Sequence, residues 1–261
     1  MRPGPQRSAP TVEVVVPAHD EAAIVGPNLR RLHAHLGEHL GVGWRITVAE
    51  NASGDATLAE ARRVAHELEG IRVTHREHPG RGGAVREAWR ASDAEVLCYL
   101  DLDLSTDLAA LDPLLAPLLA GDADLSVGTR LAPGADLRRR LHRDLLSRGY
   151  NALLRRVFAN RFTDAQCGFK ALRREVADGL LAAVDDDAWF FDTELLLAAE
   201  ERGLRVHEVP VRWVDDAEST VRILPTVLED LRGVARVRRE RRARRTAPTG
   251  APEHRARRDA A

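Results

Sequence analysis

Short apolar, β-rich runs alternate with longer helical patterns five times in the first half of the chain, and this alternation limits the fold most. VEVVVP (Val12 to Pro17) has the character of a buried strand. From Glu21 to Leu40, apolar Ile24, Leu29, Leu32 and Leu36 recur at helical spacing. WRITVAE is a second strand, and SGDAT opens a helix running to about Glu69, with Ser53 or Asp55 as its expected N-cap. IRVTHRE, EVLCYLD and ADLSVGTR supply three more strands. They are separated by the Gly-led GRGGAVREAWRAS and by a Pro-interrupted helix from Asp107 to Leu119. Repeated strand-helix order of this kind predicts an α/β fold, with a single doubly wound, mostly parallel sheet flanked by helices.

The pattern changes after Arg130. Residues 137–159 read as one long Arg-studded helix and CGFKALR as a strand. Helices follow near 174–183 and 192–203, then LRVHEVPVRW as one late strand. The organisation expected is a disordered N-terminus (1–11), a catalytic domain (12–220), a basic amphipathic helix (221–245) and a disordered tail (246–261). The 261 residues carry a net charge of -1, so no global field recruits nucleic acid. The charge is unevenly spread, because 12 arginines face five acids from Arg222 onward. A basic end on an acidic body suits an anionic surface such as a membrane. Cys98 and Cys167 form no disulfide framework, which fits a reducing compartment. The first residues lack the apolar region of a signal peptide, and no apolar run is long enough to span a bilayer. The expectation is a cytoplasmic protein, peripheral on the inner face of a membrane.

Ligands in doubly wound sheets bind beyond the carboxyl ends of the strands. There the chain has neither a Gly-rich dinucleotide turn nor a P-loop. It has carboxylates: Asp20 and Glu21 after strand one, and Glu50 and Asp55 after strand two. Each pair also suits ordinary helix capping. Strand four adds Asp101-Leu102-Asp103. Side chains alternate along a strand, so both aspartates are expected to share a face, an arrangement suited to a hard cation, Mg²⁺ or Mn²⁺, that also grips substrate phosphates.

PAHDE, ENASGDAT, GRGGAVREAW, YLDLDLST, VGTR, DAQCGFKALRRE, FDTELLLAAEERGLRVHEVPVRW and the following Ser219 resemble, in order, motifs of the family 2 inverting glycosyltransferases. The likeness spans roughly residues 12–236 and is greatest to the dolichyl-phosphate glucose synthases and their bacterial polyprenyl-phosphate relatives. It implies a GT-A fold that moves a hexose, glucose before mannose, from a nucleotide diphosphate sugar to a polyprenyl- or dolichyl-phosphate-type acceptor. The donor implied is UDP-glucose, with GDP-mannose next. Pro17, Ala18, Asp20, Glu21, Glu50, Asp55, Arg81, Asp101 and Leu102 would line the nucleotide, and Asp101 and Asp103 would hold the metal. Asp103, Asp164, Lys170 and Asp192 would form the catalytic set, with Glu194 further along the same wall as Asp192. Arg130, Arg143, Ser147 and Gln166 would serve the acceptor side, and Ser219 and Arg222 would close over the nucleotide.

The chain departs from this pattern at several positions. His19-Asp20 stands where the family usually has an aromatic and Asn; Glu50 replaces Asp, Ala52 replaces Gly, and Arg81 replaces Lys. A lipid phosphate is already ionised and needs arginines rather than a base. The cluster Arg138, Arg139, Arg140, Arg143 and Arg148 offers them, although such arrays are also common on solvated helix faces. A hydroxyl acceptor, on a small molecule or a glycan, would instead need Asp164 or Asp192 as base. Two rival classes fit less well. A nucleotidyltransferase would show a basic Gly-rich loop after strand one, and a non-catalytic nucleotide-sugar-binding protein has no need of an intact D-x-D.

Overall fold

The computed structural model describes residues 11–138, 141–214 and 223–246. Its first half is the expected alternation: β1 (Val12–Ala18), α1 (Ala22–His39), β2 (Trp44–Asn51), α2 (Thr57–Glu67), β3 (Ile71–Arg76), α3 (Arg81–Arg90) and β4 (Val96–Leu100). A 3-10 turn (Leu108–Ala110) leads into α4 (Leu111–Leu119), and β5 (Leu125–Thr129) follows. Then come β6 (Asp136–Arg138), α5 (Leu141–Phe158), β7 (Phe169–Arg173), α6 (Arg174–Leu181), α7 (Phe191–Glu201), β8 (Val206–Pro210), β9 (Arg212–Val214) and α8 (Ile223–Thr246).

The main sheet has seven strands in the order β3-β2-β1-β4-β7-β5-β8. Its strands run parallel except β7, which lies antiparallel to both β4 and β5. Helices α1, α2 and α4 cover one face and build one apolar core there. Helices α3, α5, α6, α7 and α8 close a second core on the other face. All seven residues of β1 are buried, and this includes Glu13. Its carboxylate accepts from Thr47, Ser92 and Arg72 and pairs with Arg45, tying β1, β2 and β3 together at the end opposite the site.

Three expectations change. The single late strand is two, because the chain leaves the main sheet at Val211 and pairs β9 with β6 in a separate two-stranded sheet. The long helix begins only at Leu141, since Asp136–Arg138 is the strand that β9 pairs with. Neither Ser53 nor Asp55 is the α2 N-cap position, which is Ala56. Asp55 still accepts from the Thr57 amide at 2.9 Å, and its other oxygen accepts from Ala22 at the start of α1. Both cysteines are buried and unpaired, as expected.

Among the described residues, four non-glycine residues take left-handed backbone, and three of them lie in loops at the carboxyl edge of the sheet: Asp20, Ala52 and Leu104. Ala52, at φ +56°, stands where the resemblance expects glycine. A left-handed alanine costs about 1–2 kcal/mol, part of which glycine returns through its greater freedom in the unfolded chain. Ala52→Gly should therefore gain about 0.5–1 kcal/mol in urea denaturation. An unchanged or lower midpoint would show that the loop carries no such strain.

Candidate active site

The loops after β1 and β2 interlock. The Asp20 amide donates to Ser53 Oγ at 3.1 Å, the Gly54 amide to Asp20 Oδ1 at 2.7 Å, and the Glu21 amide to Thr57 Oγ1 at 2.8 Å. Glu50 is buried, accepts from the Ser53 amide at 2.6 Å and pairs with His75. Pro17 and Ala18 are buried in β1, so the backbone and the loop beyond them form the floor here. Asn51 was not among the expected site residues, yet it ties three loops. It donates to Ala18 O, accepts from the Gly80 amide through Oδ1, and offers its carbonyl to His19.

Strand alternation does not carry on through the D-x-D. The strand ends at Leu100, and Asp101 to Leu104 form a turn closed by the Leu104 amide on Asp101 O at 3.1 Å. Leu102 turns into the core, and its carbonyl accepts from Asn28 of α1. Asp103 takes the Ser105 amide and hydroxyl at 2.9 and 2.7 Å. Burial pushes Glu21 up to about 7, and the nearby charges of Asp101 and Asp103 add to the rise. Carboxylate oxygens such as those of Asp101 and Asp103 are the donors that a hard divalent cation takes. A second group of acids, Asp185, Glu194 and Glu240, already surrounds the Arg236 guanidinium.

Behind the turn lies a buried charge network. Arg81 opens α3 and donates to Asp101 at 3.0 and 2.6 Å and to Asp192 of α7 at 2.7 Å. Its guanidinium lies over the rings of Tyr99 and Trp189, at 5.0 and 5.2 Å. Tyr99 and Lys170 are register partners on β4 and β7, so their side chains lie side by side, and both reach Asp192. Lys170 is fully buried and also donates to Ala165 O at 3.1 Å and Cys167 O at 2.7 Å, which uses all three ammonium protons. Burial alone would raise the Asp192 pKa, but the charges of Lys170 and Arg81 and the hydrogen bonds from Lys170 and Tyr99 hold it below the ordinary carboxylate range. Gly168 is obligatory, because a Cβ there would sit 1.9 Å from Asp101 Oδ2.

Among the residues expected to serve the acceptor, Arg130 grips Asp164 through Nε at 2.7 Å and Nη2 at 2.9 Å, and its own amide donates to the same carboxylate. Burial opposes ionisation of Asp164, but the Arg130 charge and these bonds outweigh it and lower the pKa. The guanidinium lies 4.9 Å from the centre of the Trp213 ring. β9, which carries Trp213, also laces the loop beyond the D-x-D, through Val214 to Ser105 and Asp107 to Arg212. Gln166 donates to Asp230 of α8 at 2.6 Å, and Ser147 is buried with no partner for its hydroxyl among the described residues. Arg148 is exposed and pairs with Asp144.

Glu194 does not share the wall of Asp192. Two residues along α7 it faces the other way, and binds Arg236 of α8 at 2.8 and 3.0 Å. The side chains of Arg138 and Arg143, and the whole of Arg139, Arg140, Ser219 and Arg222, lie outside the described residues. The structure adds Tyr99, Asn28, Asn51, Trp189, Trp213 and Asp230 to the residues expected from sequence. Trp189 and Trp213 had a signal, since one stands just before FDTELL and the other ends EVPVRW. The rest look like ordinary core or helix residues.

The chain resembles glycosyltransferase AglD of Haloferax volcanii, at 36% identity over 219 residues, covering 83% of this chain and 35% of AglD. It resembles the dolichyl-phosphate beta-glucosyltransferase of Drosophila melanogaster at 32% identity, covering 79% and 68% of the two chains. It thus spans about a third of the first relative and about two thirds of the second. Among solved structures, glucosyl-3-phosphoglycerate synthase from Mycobacterium tuberculosis, in complex with UDP, superposes with a TM-score of 0.64 at 23% identity, covering 92% and 86% of the chains. The same enzyme has also been crystallised with Mn²⁺, UDP and phosphoglyceric acid. These neighbours share the GT-A fold seen here. The profile of glycosyl transferase family 2 matches residues 13–181, and the chain belongs to that family of glycosyltransferases.

Proposed function

We propose that this chain transfers a hexose, with inversion, from a nucleotide diphosphate sugar to a lipid phosphate of the polyprenyl or dolichyl type, with UDP-glucose as the donor. One observation carries the choice of acceptor: the two carboxylates expected to serve a hydroxyl acceptor as base, Asp164 and Asp192, are both committed to cations. Asp164 is held by Arg130, and Asp192 by Arg81 and Lys170, and both pKa values are lowered. A carboxylate so held is a weak base for a hydroxyl acceptor. A phosphate arrives ionised and needs none. The names of the dolichyl-phosphate beta-glucosyltransferases agree with this acceptor and with glucose. UDP is also the nucleotide bound in the structural neighbour.

In this reading a phosphate oxygen attacks the anomeric carbon opposite the diphosphate. The new carbon–oxygen bond forms as the bond to the diphosphate breaks, and the configuration inverts. Asp101 and Asp103 would hold a divalent cation, Mg²⁺ or Mn²⁺, whose chemistry is to neutralise charge growing on the departing diphosphate. Arg81 keeps Asp101 in place, and Asp192 keeps Arg81 in place. Lys170 acts from behind Asp192, as a positioning residue.

The enzyme would work on a membrane surface, and α8 offers the contact. Val227, Leu228, Leu231 and Ala235 are exposed on one stripe, which continues through the exposed Arg238, Arg239 and Arg242. Such a face suits anionic headgroups, at about 1 kcal/mol per basic residue near the surface. No helix among the described residues is long and apolar enough to cross a membrane.

Three outcomes are expected. Asp103→Asn should lower glucose transfer at least about a hundredfold while the melting temperature holds, and chelator should do the same to the wild type; activity that persists in excess chelator removes the cation from the mechanism. Calorimetry should rank UDP above GDP and dTDP, and tightest binding to GDP would move the donor to GDP-mannose. The full chain should co-sediment with anionic vesicles at low salt, and Leu228→Glu with Leu231→Glu should abolish this without altering UDP affinity. Equal sedimentation of both proteins would clear this face of any membrane role.

A further inference from the structure

The C-terminal helix reaches the site through one side chain. Asp230 is the carboxylate that α8 turns inward; it is 3% exposed and accepts from Gln166 Nε2 at 2.6 Å. Its other oxygen, Oδ1, has no hydrogen-bond partner among the described residues. The backbone around Gln166 has little freedom. Ala165 O and Cys167 O both accept from Lys170, the Ala165 amide donates to Asn151 Oδ1 at 3.0 Å, and the Gln166 amide donates to Asp164 at 3.2 Å. With the peptide fixed on both sides, the side-chain amide is the part of this segment that can still turn. Asp230 is the group it bonds.

We infer that Asp230 is a positioning residue of the active site, which fixes the orientation of the Gln166 amide and so makes α8 a working part of the acceptor wall. An ionised carboxylate only accepts, and it draws the Nε2 end of the amide toward α8. A protonated carboxyl also donates, and so permits the amide oxygen to take that place instead. Ionised Asp230 therefore holds Gln166 in one orientation, and its protonation frees the amide to face either way.

The surroundings favour a proton that comes and goes near neutrality. Among the described residues, the groups that act most strongly on Asp230 are Gln166, Asp186 before α7, Asp192 of α7 and Glu229 beside it on α8, with Tyr150 of α5 close by, and none of these is a cation. Burial, reinforced by Asp186, Asp192 and Glu229, raises the carboxyl to about 7 against the opposing bond from Gln166. The folded chain thus holds this proton more tightly than the unfolded chain. Asp230 favours the fold at low pH, and that contribution is lost as pH rises from the ordinary carboxylate range through about 7.

This inference rests on the proposed transfer to a lipid phosphate only for its kinetic part, and the test separates the two. In the full chain, the side-chain amide resonances of Gln166 should shift with an inflection near pH 7, and Asp230→Asn should abolish that inflection. The same substitution should reduce the pH dependence of urea unfolding over that window, leaving the part due to Glu21. In transfer assays Asp230→Ala should lower kcat/KM for the lipid phosphate roughly tenfold, the value of one hydrogen bond to a buried charged group, with UDP affinity unchanged. Asp230→Asn, which like the protonated carboxyl both accepts and donates, should hold the wild type's low-pH rate at every pH, without the inflection near neutral pH. Gln166 resonances that do not titrate, or that titrate equally in Asp230→Asn, overturn the inference, as does wild-type kcat/KM in Asp230→Ala. Should the wild type transfer nothing to lipid phosphate, the proposed function falls, and the resonance titration still decides the role of Asp230.

Discussion

Two buried cations share one carboxylate, and the site is arranged around that fact. Asp192 binds Lys170 through one oxygen and Arg81 through the other, and Arg81 reaches on to Asp101 at the mouth of the site. The two positive and two negative charges balance. A buried ion needs this balance, since one left unpaired costs several kcal/mol. Each member comes from a different element: α3, β7, α7 and the turn after β4. Removing any one would uncover a charge inside the fold, so the network locks the acidic turn to the sheet as it shapes the pocket. The one antiparallel strand, β7, is needed for this, because it sets Lys170 beside Tyr99 with Asp192 in reach of both.

This also accounts for two residue choices that composition alone leaves unexplained. The chain holds a single lysine, Lys170. An ammonium with three protons can satisfy three acceptors set around one point, whereas a planar guanidinium cannot fold around them. Arg81 shows the converse. Its fork spans two carboxylates, with Nε and Nη2 on Asp101 and Nη1 on Asp192. The departure from the lysine usual in the family thus changes the geometry of the site as well as its charge.

The fold was legible because β1, β4 and β5 are fully buried and read as apolar runs, and α1 and α2 each show an apolar stripe. The acidic turn after β4 was legible because carboxylates follow a strand end there, at Asp101 and Asp103. Three kinds of feature were not. β9 is three residues long, and only its partner β6 gives it meaning as a strand. Tyr99 sits among apolar residues in a buried strand, and nothing nearby in the sequence marks its hydroxyl as a partner of Asp192. Asp192 and Glu194 look equivalent in FDTELL, yet a helix sends residues two apart in nearly opposite directions. One faces the pocket and the other faces α8. Ala52 departs from the family's glycine, and the reason glycine belongs there appears only in the backbone angle.

The C-terminal helix fits two competing arrangements on sequence, one packed on the domain and one laid on a membrane. The structure divides the helix rather than choosing between them. Val234 and Val237 are buried, Gly233 lets the helix approach the Phe190 ring, and Arg236 and Arg241 bind α7. Those contacts occupy one side. Leu228 and Leu231 remain 54% and 43% exposed on another, with no acid among the residues that extend their stripe. Apolar spacing along a sequence points to one buried stripe, and so does not distinguish a helix that carries two separate apolar faces. Because the inward side also carries Asp230, a force applied to the outer face would act on an element bonded directly to Gln166. The same division bears on truncation: removing residues from 236 onward would strip Arg236 from Glu194 and Val237 from the core, and so would disturb the catalytic domain together with any surface contact.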